Sequence, residues 1–246
     1  MKKTSSIILI ISFFNLIIFN FTPCISKSFS SEEEINNLIA IYENPKSSWG
    51  DKRYVIKRFG IIKNKKTLPI LYNALIRNRH KDIRISAANA IGEIKDKSSL
   101  PELEKALRKN HGLSDILSAI LRAIGTIGDP GSLKVLRKYL RHKIPQPRES
   151  ACESLYMIAT ANKKYKKEII KDISNFLDEE SKDITRSDAS CKITACLALE
   201  RLATIHDKEA LKILNKIRKN DSNKKIKERA ERALRNIKQK STKTNL

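Results

Sequence analysis

The feature that most constrains this chain is a small apolar motif that recurs at nearly constant intervals. Gly60, Gly92 and Gly125 each follow a large apolar residue, and they lie 32 and 33 residues apart. Leucines recur at matching distances after these glycines: Leu71, Leu103 and Leu136, then Leu75, Leu107 and Leu140. A repeat of this length with helical spacing indicates helical hairpins, each too small to bury its own apolar face. The hairpins must therefore pack on one another.

The clearest copy runs from Lys81 to Asn110 and predicts two short amphipathic helices joined by a tight turn. One face of each helix carries its apolar residues: Ala87, Ala88, Ile91 and Ile94, then Leu100, Leu103, Ala106 and Leu107. We expect Ser99 to cap the second helix, Glu102 to complete a capping box and Pro101 to lie in the first turn.

Two weaker copies follow, whose first helices end at Ile158-Ala159 and Leu202-Ala203. The interval between them exceeds the repeat, and we place most of the insertion between Leu177 and Cys191. The predicted core is Leu71, Leu75, Ile91, Leu103, Leu107, Ile124, Leu136, Leu140, Leu155, Ile158, Leu199 and Leu214.

The ends of the array are also predicted. A helix that opens near Ser31 caps one end and a helix over 226–237 closes the other, so that the repeat domain spans 31–237. Residues 238–246 are polar and lack periodicity, which predicts a basic disordered tail. Trp49, the single tryptophan, is expected to pack between the cap and the first hairpin; the alternative is an exposed binding aromatic.

The pattern Asp-x-x-Arg-x-x-Ala-Ala-x-Ala-Ile-Gly-x-Ile-x-Asp…Leu-Pro-x-Leu, read at Lys81–Leu103 and in part at Ile124–Gly131, resembles HEAT repeats. It is especially similar to the short HEAT-like units of phycobilisome lyases, and the resemblance extends from about Ser47 to Ile237. It implies an all-α fold: a right-handed α-solenoid of about five HEAT-like hairpins with terminal capping helices and with second helices on the concave face. The fold itself says little about chemistry.

Residues 1–26 read as a signal peptide. Lys2 and Lys3 precede an apolar run over 7–21, which is short for a membrane span and typical of a signal core. Cleavage after Ser26 would export the protein to the periplasm or envelope. Lipidation of Cys24 and an uncleaved anchor are the alternatives.

The charge of the chain favours an anionic partner. It carries 50 Lys and Arg against 27 Asp and Glu, for a net charge of +23. Such an excess attracts polyanions, although a lysine-rich solvated surface needs no ligand. Export makes nucleic acid the weaker choice, and an anionic polymer or membrane surface stays open.

No residue pattern supports catalysis, a cofactor or a small-molecule substrate. Cys152, Cys191 and Cys196 read as buried packing residues, because their spacing suits neither a disulfide nor zinc. His80, His111 and His142 recur near the repeat length, but their register drifts too far for a metal ladder. The acidic run 178–180, with Asp183, reads as a solvated lead into a helix near Thr185; binding a cation or docking on a basic patch is the alternative.

The candidate site is a basic stripe on the second helices. Counting two and five residues from the core leucines places Lys105, Arg108, Lys138 and Arg141 on the face that the resemblance makes concave, with Arg137 beside them. We therefore expect a non-enzymatic scaffold that binds a protein or peptide partner there. A polyanion binder is the first alternative and a lyase-type enzyme the second.

Overall fold

The structure, a computed structural model, describes residues 31–182 and 188–244. These residues form twelve α-helices and no strand: α1 Ser31–Glu43, α2 Trp49–Ile62, α3 Leu68–Arg77, α4 Lys81–Ile94, α5 Leu100–Lys109, α6 Ser114–Ile127, α7 Leu133–Tyr139, α8 Pro145–Ala161, α9 Lys166–Lys182, α10 Ala189–Leu202, α11 Lys208–Asn220 and α12 Lys224–Thr244. The chain divides into two units, Met1–Asn37 and Leu38–Leu246. Of the first, the described part is the opening half of α1, with three glutamates in its first turn.

In the second unit the first helices of the hairpins pack on one another in order: α2 on α4, α4 on α6, α6 on α8, α8 on α10 and α10 on α12. The second helices α3, α5, α7, α9 and α11 alternate with them along the chain. All twelve residues predicted for the core are buried in one continuous apolar cluster. The all-α solenoid expected from the repeats is therefore confirmed.

The repeated glycines lie where successive first helices come closest. A Cβ added at Gly92 would lie 2.9 Å from Cα of Ala123, and one added at Gly125 would lie 2.7 Å from Cα of Ser154. Gly60 makes the equivalent approach to Ala90. Only a residue without a side chain permits these backbones to pack so closely.

These contacts also correct the sequence register at α8. Gly92 contacts Ala123, which lies two positions before Gly125. If Ala159 were the counterpart of Gly125 in the next hairpin, Gly125 would by the same rule contact Met157. Gly125 contacts Ser154 instead, about one helical turn earlier. The reason is length, since α8 has 17 residues and α6 has 14, and the additional turn lies at the C-terminal end of α8.

Each of the first three hairpins turns through a short 3₁₀ helix that the sequence analysis did not predict. The side-chain oxygens of Asn64, Asp96 and Asp129 accept hydrogen bonds from the backbone N–H two residues on, at 2.9, 3.2 and 2.7 Å. The capping box expected at Ser99 is absent, because Asp96 caps the turn and the buried Ser99 hydroxyl accepts a 2.8 Å hydrogen bond from Tyr72. Pro101 does lie in the first turn of α5.

The turns are joined to one another by ion pairs that we call the turn ladder. Nζ of Lys65 lies 3.3 Å from Asp96, and Nζ of Lys97 lies 3.1 Å from Asp129. In each case the lysine that follows one cap reaches the cap of the next hairpin. Both lysine side chains are largely exposed, so each pair contributes little to stability.

The helices after α7 are joined by buried charges instead. Arg148 on α8 and Glu180 on α9 are each 1 % exposed, with Nε and Oε1 2.9 Å apart. The Arg148 guanidinium also donates to the carbonyls of His142 and Lys143, and Glu180 accepts from the N–H of Asp188. Good hydrogen bonding of this kind offsets the cost of burying both charges.

Two further pairs follow the same principle. Lys192 on α10 lies 2.7 Å from Asp221, the residue that follows α11, and both side chains are buried. Glu200 on α10 pairs with Arg229 on α12 and accepts a hydrogen bond from Asn236. The C-terminal helices are thus held in place by specific charge partners.

The acidic run was predicted wrongly as a solvated lead into a later helix. Asp178, Glu179 and Glu180 lie in the last turns of α9, and all three side chains pair with cations of this chain. The run therefore docks on basic residues within the molecule. Asp183 and the predicted helix start at Thr185 lie outside the described residues.

The helix predicted over 226–237 is longer in the structure. It runs to Thr244, so residues 238–244 of the expected disordered tail are helical. The signal segment, including Cys24 and Ser26, precedes the described residues. Among the helices that are described, none combines the length and apolar character needed to cross a membrane.

Candidate functional site

The five predicted cations lie on α5, on α7 and, for Arg141, in the turn that follows α7, on a surface that we call the second-helix face. It consists of the exposed sides of α3, α5, α7, α9 and α11. Arg137 and Arg141 are paired with acidic residues of α9. Lys105, Arg108 and Lys138 are exposed and have no partner on α9 among the described residues.

Arg137 of α7, and Arg141 in the turn after α7, are paired with carboxylates of α9. The Arg137 guanidinium lies 2.8 Å from Asp172 and 2.5 Å from Glu168, and Arg141 lies 2.8 Å from Glu179. The hydrogen bond to Glu179 raises the pKa of Arg141. Arg137 links α7 to α9 through two carboxylates, whereas the pair of Arg141 is largely exposed. Both arginines already have a charge partner, so they are less available to a partner protein than the sequence suggested.

Lys105, Arg108 and Lys138 keep their charge towards solvent, and we call them the open cations. Lys105 makes a 3.2 Å pair with Glu102 on its own helix, which is exposed and weak. Arg108 and Lys138 are exposed and form no ion pair within 31–182 or 188–244. Burial raises the pKa of Tyr139 on α7, and the positive charge of Arg108 opposes that rise.

Beyond α7 the sign of the second-helix face changes. Glu168, Asp172, Asp178 and Glu179 lie along α9, and Lys212 and Lys216 lie on α11. Hydrogen bonds from Lys182 and Lys216 hold the pKa of Asp178 below its usual range, with Nζ of Lys216 at 2.6 Å. The face therefore carries an acidic row between two basic rows.

A groove of about 380 Å³ separates α9 from α11 on this face. Its walls mix both signs of charge with an apolar side chain: Ser174, Asn175, Asp178, Glu209, Lys212, Ile213 and Lys216. A smaller cavity of about 80 Å³ lies between α7 and α9, beside Arg137 and Phe176. Both openings lie on the second-helix face.

The position of Trp49 differs from the packing role that the sequence predicted. It opens α2 with 48 % of its surface exposed, so it is not the buried packing residue that we expected. Its ring stacks on His80 at a centroid distance of 5.9 Å, and the Arg53 guanidinium lies 5.1 Å from its centre. These contacts fix the ring by aromatic and cation–π interactions.

The three cysteines in the part of the chain that is described lie inside the helical array. Cys152, Cys191 and Cys196 are free and buried, which confirms them as packing residues. Burial raises the pKa of Cys191 and of Cys196 to about 12, so both thiols are protonated at neutral pH. No group of three or more His, Cys, Asp or Glu in the described ranges could hold a metal ion.

Another polar groove, which was not predicted, lies on the opposite surface. This first-helix face comprises the exposed sides of α2, α4, α6, α8, α10 and α12. The groove there has a volume of about 420 Å³ and is lined by Ile85, Asp115, Ser118, Arg122, Gln146, Glu149, Ser150 and Glu153. The signal was present, because Glu149 and Glu153 lie four residues apart and so share one face of a helix.

Comparison with known proteins gives a family for part of the chain. Residues 35–114 match the model described as HEAT repeats. No curated protein matches the chain.

Solved structures with a similar fold include helical proteins of different kinds. The complex of CpcE and CpcF of phycocyanin lyase from Nostoc sp. PCC7120 is 18 % identical, with 84 % of this chain and 83 % of that chain covered and a TM-score of 0.45. An engineered protein is 20 % identical, with coverage of 84 % and 99 % and a TM-score of 0.47. Human deoxyhypusine hydroxylase is 13 % identical, with coverage of 84 % and 96 % and a TM-score of 0.44.

Similarity at this level says nothing about the chemistry of this chain. The family match covers the first hairpins, where the glycine and leucine spacing is most regular. The HEAT-repeat resemblance read from the sequence is thus confirmed for residues 35–114, at the start of an all-α array of helical hairpins.

Proposed function

We propose that this protein is a non-enzymatic, exported scaffold that binds a protein or peptide partner on its second-helix face. The open cations Lys105, Arg108 and Lys138 provide the first contacts, and the groove between α9 and α11 continues the surface. Export is inferred from the apolar run over 7–21 and its flanking lysines.

The acidic row on α9 is the observation that favours a protein partner over a polyanion. A nucleic acid or an anionic polymer presents one sign of charge along its length and needs free cations. Glu168, Asp172 and Glu179 already compensate Arg137 and Arg141, so this face offers such a ligand fewer free cations than the sequence suggested. A protein surface can match rows of alternating sign, which gives specificity for partner and orientation. The net charge of +23 then assists encounter rather than defining the ligand.

The test is affinity capture from the envelope fraction with a charge-reversed protein. Lys105→Glu, Arg108→Glu and Lys138→Glu together should reduce recovery of the captured partner about tenfold or more, because like charges then face it. Arg137 and Arg141 are left unchanged, since reversing either would break its pair with α9. N-terminal sequencing of the same preparation should begin at Lys27.

The matched control reverses the same number of cations on the first-helix face. Arg232, Arg235 and Lys238 are exposed on α12, and changing all three to Glu should leave recovery unchanged. The proposal fails if both triple variants retain the partner equally. It also fails if the wild-type protein captures no protein but binds DNA or anionic vesicles with a steep dependence on salt.

A further inference from the structure

The groove on the first-helix face contains acidic side chains that lack a cationic partner. Glu149 and Glu153 are half-buried and lie one turn apart on α8, and neither forms an ion pair within the described ranges. Glu149 accepts a 3.0 Å hydrogen bond from the Thr194 hydroxyl. Like charges at this spacing repel each other. The chain has a large excess of cations, yet none of those described forms an ion pair with either carboxylate.

The remaining charges around the groove do not neutralise this pair. Asp115 of α6 is occupied by Lys81 at 2.8 Å, and the Arg122 guanidinium donates to the Ser150 hydroxyl at 3.4 Å. Burial, and then the charge of Glu149, raise the pKa of Glu153, while Arg122 acts in the opposite direction. The two glutamates thus share a poorly hydrated site that would be stabilised by an added cation.

A second observation points to a ligand at the same place. Ser118 of α6 lines the groove and is only 5 % exposed, and its hydroxyl has no hydrogen-bond partner among the described residues. Buried hydroxyls are nearly always hydrogen-bonded in folded proteins. The Ser118 hydroxyl lies in the same groove as the two carboxylates, and its oxygen can accept a hydrogen bond from a bound donor.

We infer that this groove binds the lysine side chain of a peptide partner. An ammonium group has three N–H donors on a compact centre, which suits separate acceptors on Glu149, Glu153 and Ser118. Ile85 lines the same groove and offers an apolar contact for the methylene stem. A guanidinium would instead favour a planar, two-point contact with a single carboxylate.

This site lies on the face opposite the open cations, so it does not rest on the proposed function. Together the two sites would allow one scaffold to hold an anionic surface on the second helices and a lysine-bearing segment on the first helices. The net positive charge of the chain opposes non-specific binding of any cationic peptide. Binding of such a peptide would therefore report a local site.

The experiment measures binding of hexalysine carrying a neutral fluorophore to the full chain in about 0.1 M salt, by fluorescence anisotropy. The wild-type protein should bind it, and Glu149→Gln with Glu153→Gln should weaken binding about tenfold. Ser118→Ala should weaken it about threefold, through loss of one hydrogen bond. Circular dichroism should show the same helicity for every variant.

The control removes two acidic groups outside the groove. Glu43 and Glu231 are exposed, and Glu43→Gln with Glu231→Gln changes the net charge equally, so its affinity should equal that of the wild-type protein. The inference is overturned if the wild-type protein does not bind hexalysine, or if the two double variants bind it equally well.

Discussion

From α2 to α7, successive hairpins meet through glycine contacts and the exposed turn ladder, whereas from α8 to α12 the helices are joined by buried charges. Gly92 on Ala123 typifies the first region, and Arg148 with Glu180 typifies the second. In the first region the spacing is uniform, so the same small contact can be repeated. In the second region α8 and α9 have 17 residues each and the register shifts by a turn at α8, and particular charge partners then fix how the helices pack.

The largest effect should come from breaking the buried pair. Glu180→Ala leaves Arg148 buried and uncompensated, which should lower the free energy of unfolding by about 3–5 kcal/mol. Urea denaturation followed by circular dichroism measures it. The adjacent variant Glu179→Ala removes an exposed pair and should cost only about 0.2–1 kcal/mol. Equal midpoints for the two variants would contradict the contrast between the regions.

Overfilling a glycine contact should have an intermediate effect. Gly92→Ala places a methyl group against the backbone of Ala123, which should cost about 1–3 kcal/mol as α4 and α6 are forced apart. Gly112→Ala is the matched control, because a Cβ at Gly112 meets nothing within 4 Å. If both variants unfold at the same urea concentration, close approach of the first helices is not what orders the N-terminal hairpins.

The smallest effect should come from a turn of the ladder. Asp129→Ala removes the hydrogen bond to the Gly131 N–H and should cost about 0.5–2 kcal/mol at neutral pH. Asp129→Asn keeps a capping oxygen, as Asn64 does in the first hairpin, and should cost less. Lys97→Ala removes only the ion pair and should cost about 0.2–1 kcal/mol.

The pH dependence of the same variant follows from the Asp129 carboxylate. Its hydrogen bond from Gly131, and then its pair with Lys97, hold the pKa of Asp129 below the value in the unfolded chain. The stabilisation is therefore complete above about pH 4 and is lost as the pH falls through the folded-state value. The difference between wild type and Asp129→Ala should shrink on acidification; a constant difference would mean that the charge contributes nothing.

The regular half of the fold was predictable because its signal is local and repeated. Leu71, Leu103 and Leu136 mark the second helices, and all three are fully buried. The turn caps could also have been found, since Asn or Asp is followed three residues later by Ser or Thr at 64–67, 96–99 and 129–132. The prediction that Ser99 caps the second helix is wrong because Asp96, the first residue of this motif, caps the turn.

The second half could not be predicted in the same way, because its contacts join residues with no common spacing. The insertion between Arg148 and Glu180 changes the helical register by an amount that the sequence does not show. Isolated charged residues are also usually exposed to solvent, so neither residue was expected in the core. The candidate stripe shows the same division. Counting from the leucines identified Lys105 and Arg108, but nothing in the spacing indicated that α9 would hold Arg137 and Arg141.

The turn ladder has a consequence for how such a chain can change through gene duplication. Lys65 reaches Asp96 and Lys97 reaches Asp129, so a whole hairpin could be gained or lost between them and each remaining lysine would still find an aspartate. This half of the array could therefore lengthen or shorten by whole hairpins, and the ion pairs between neighbouring turns would be kept. Pro130 stands where the next lysine of the ladder would be, and Asn162 stands where the next aspartate would be. Neither residue is charged, so the ladder does not extend to the fourth hairpin.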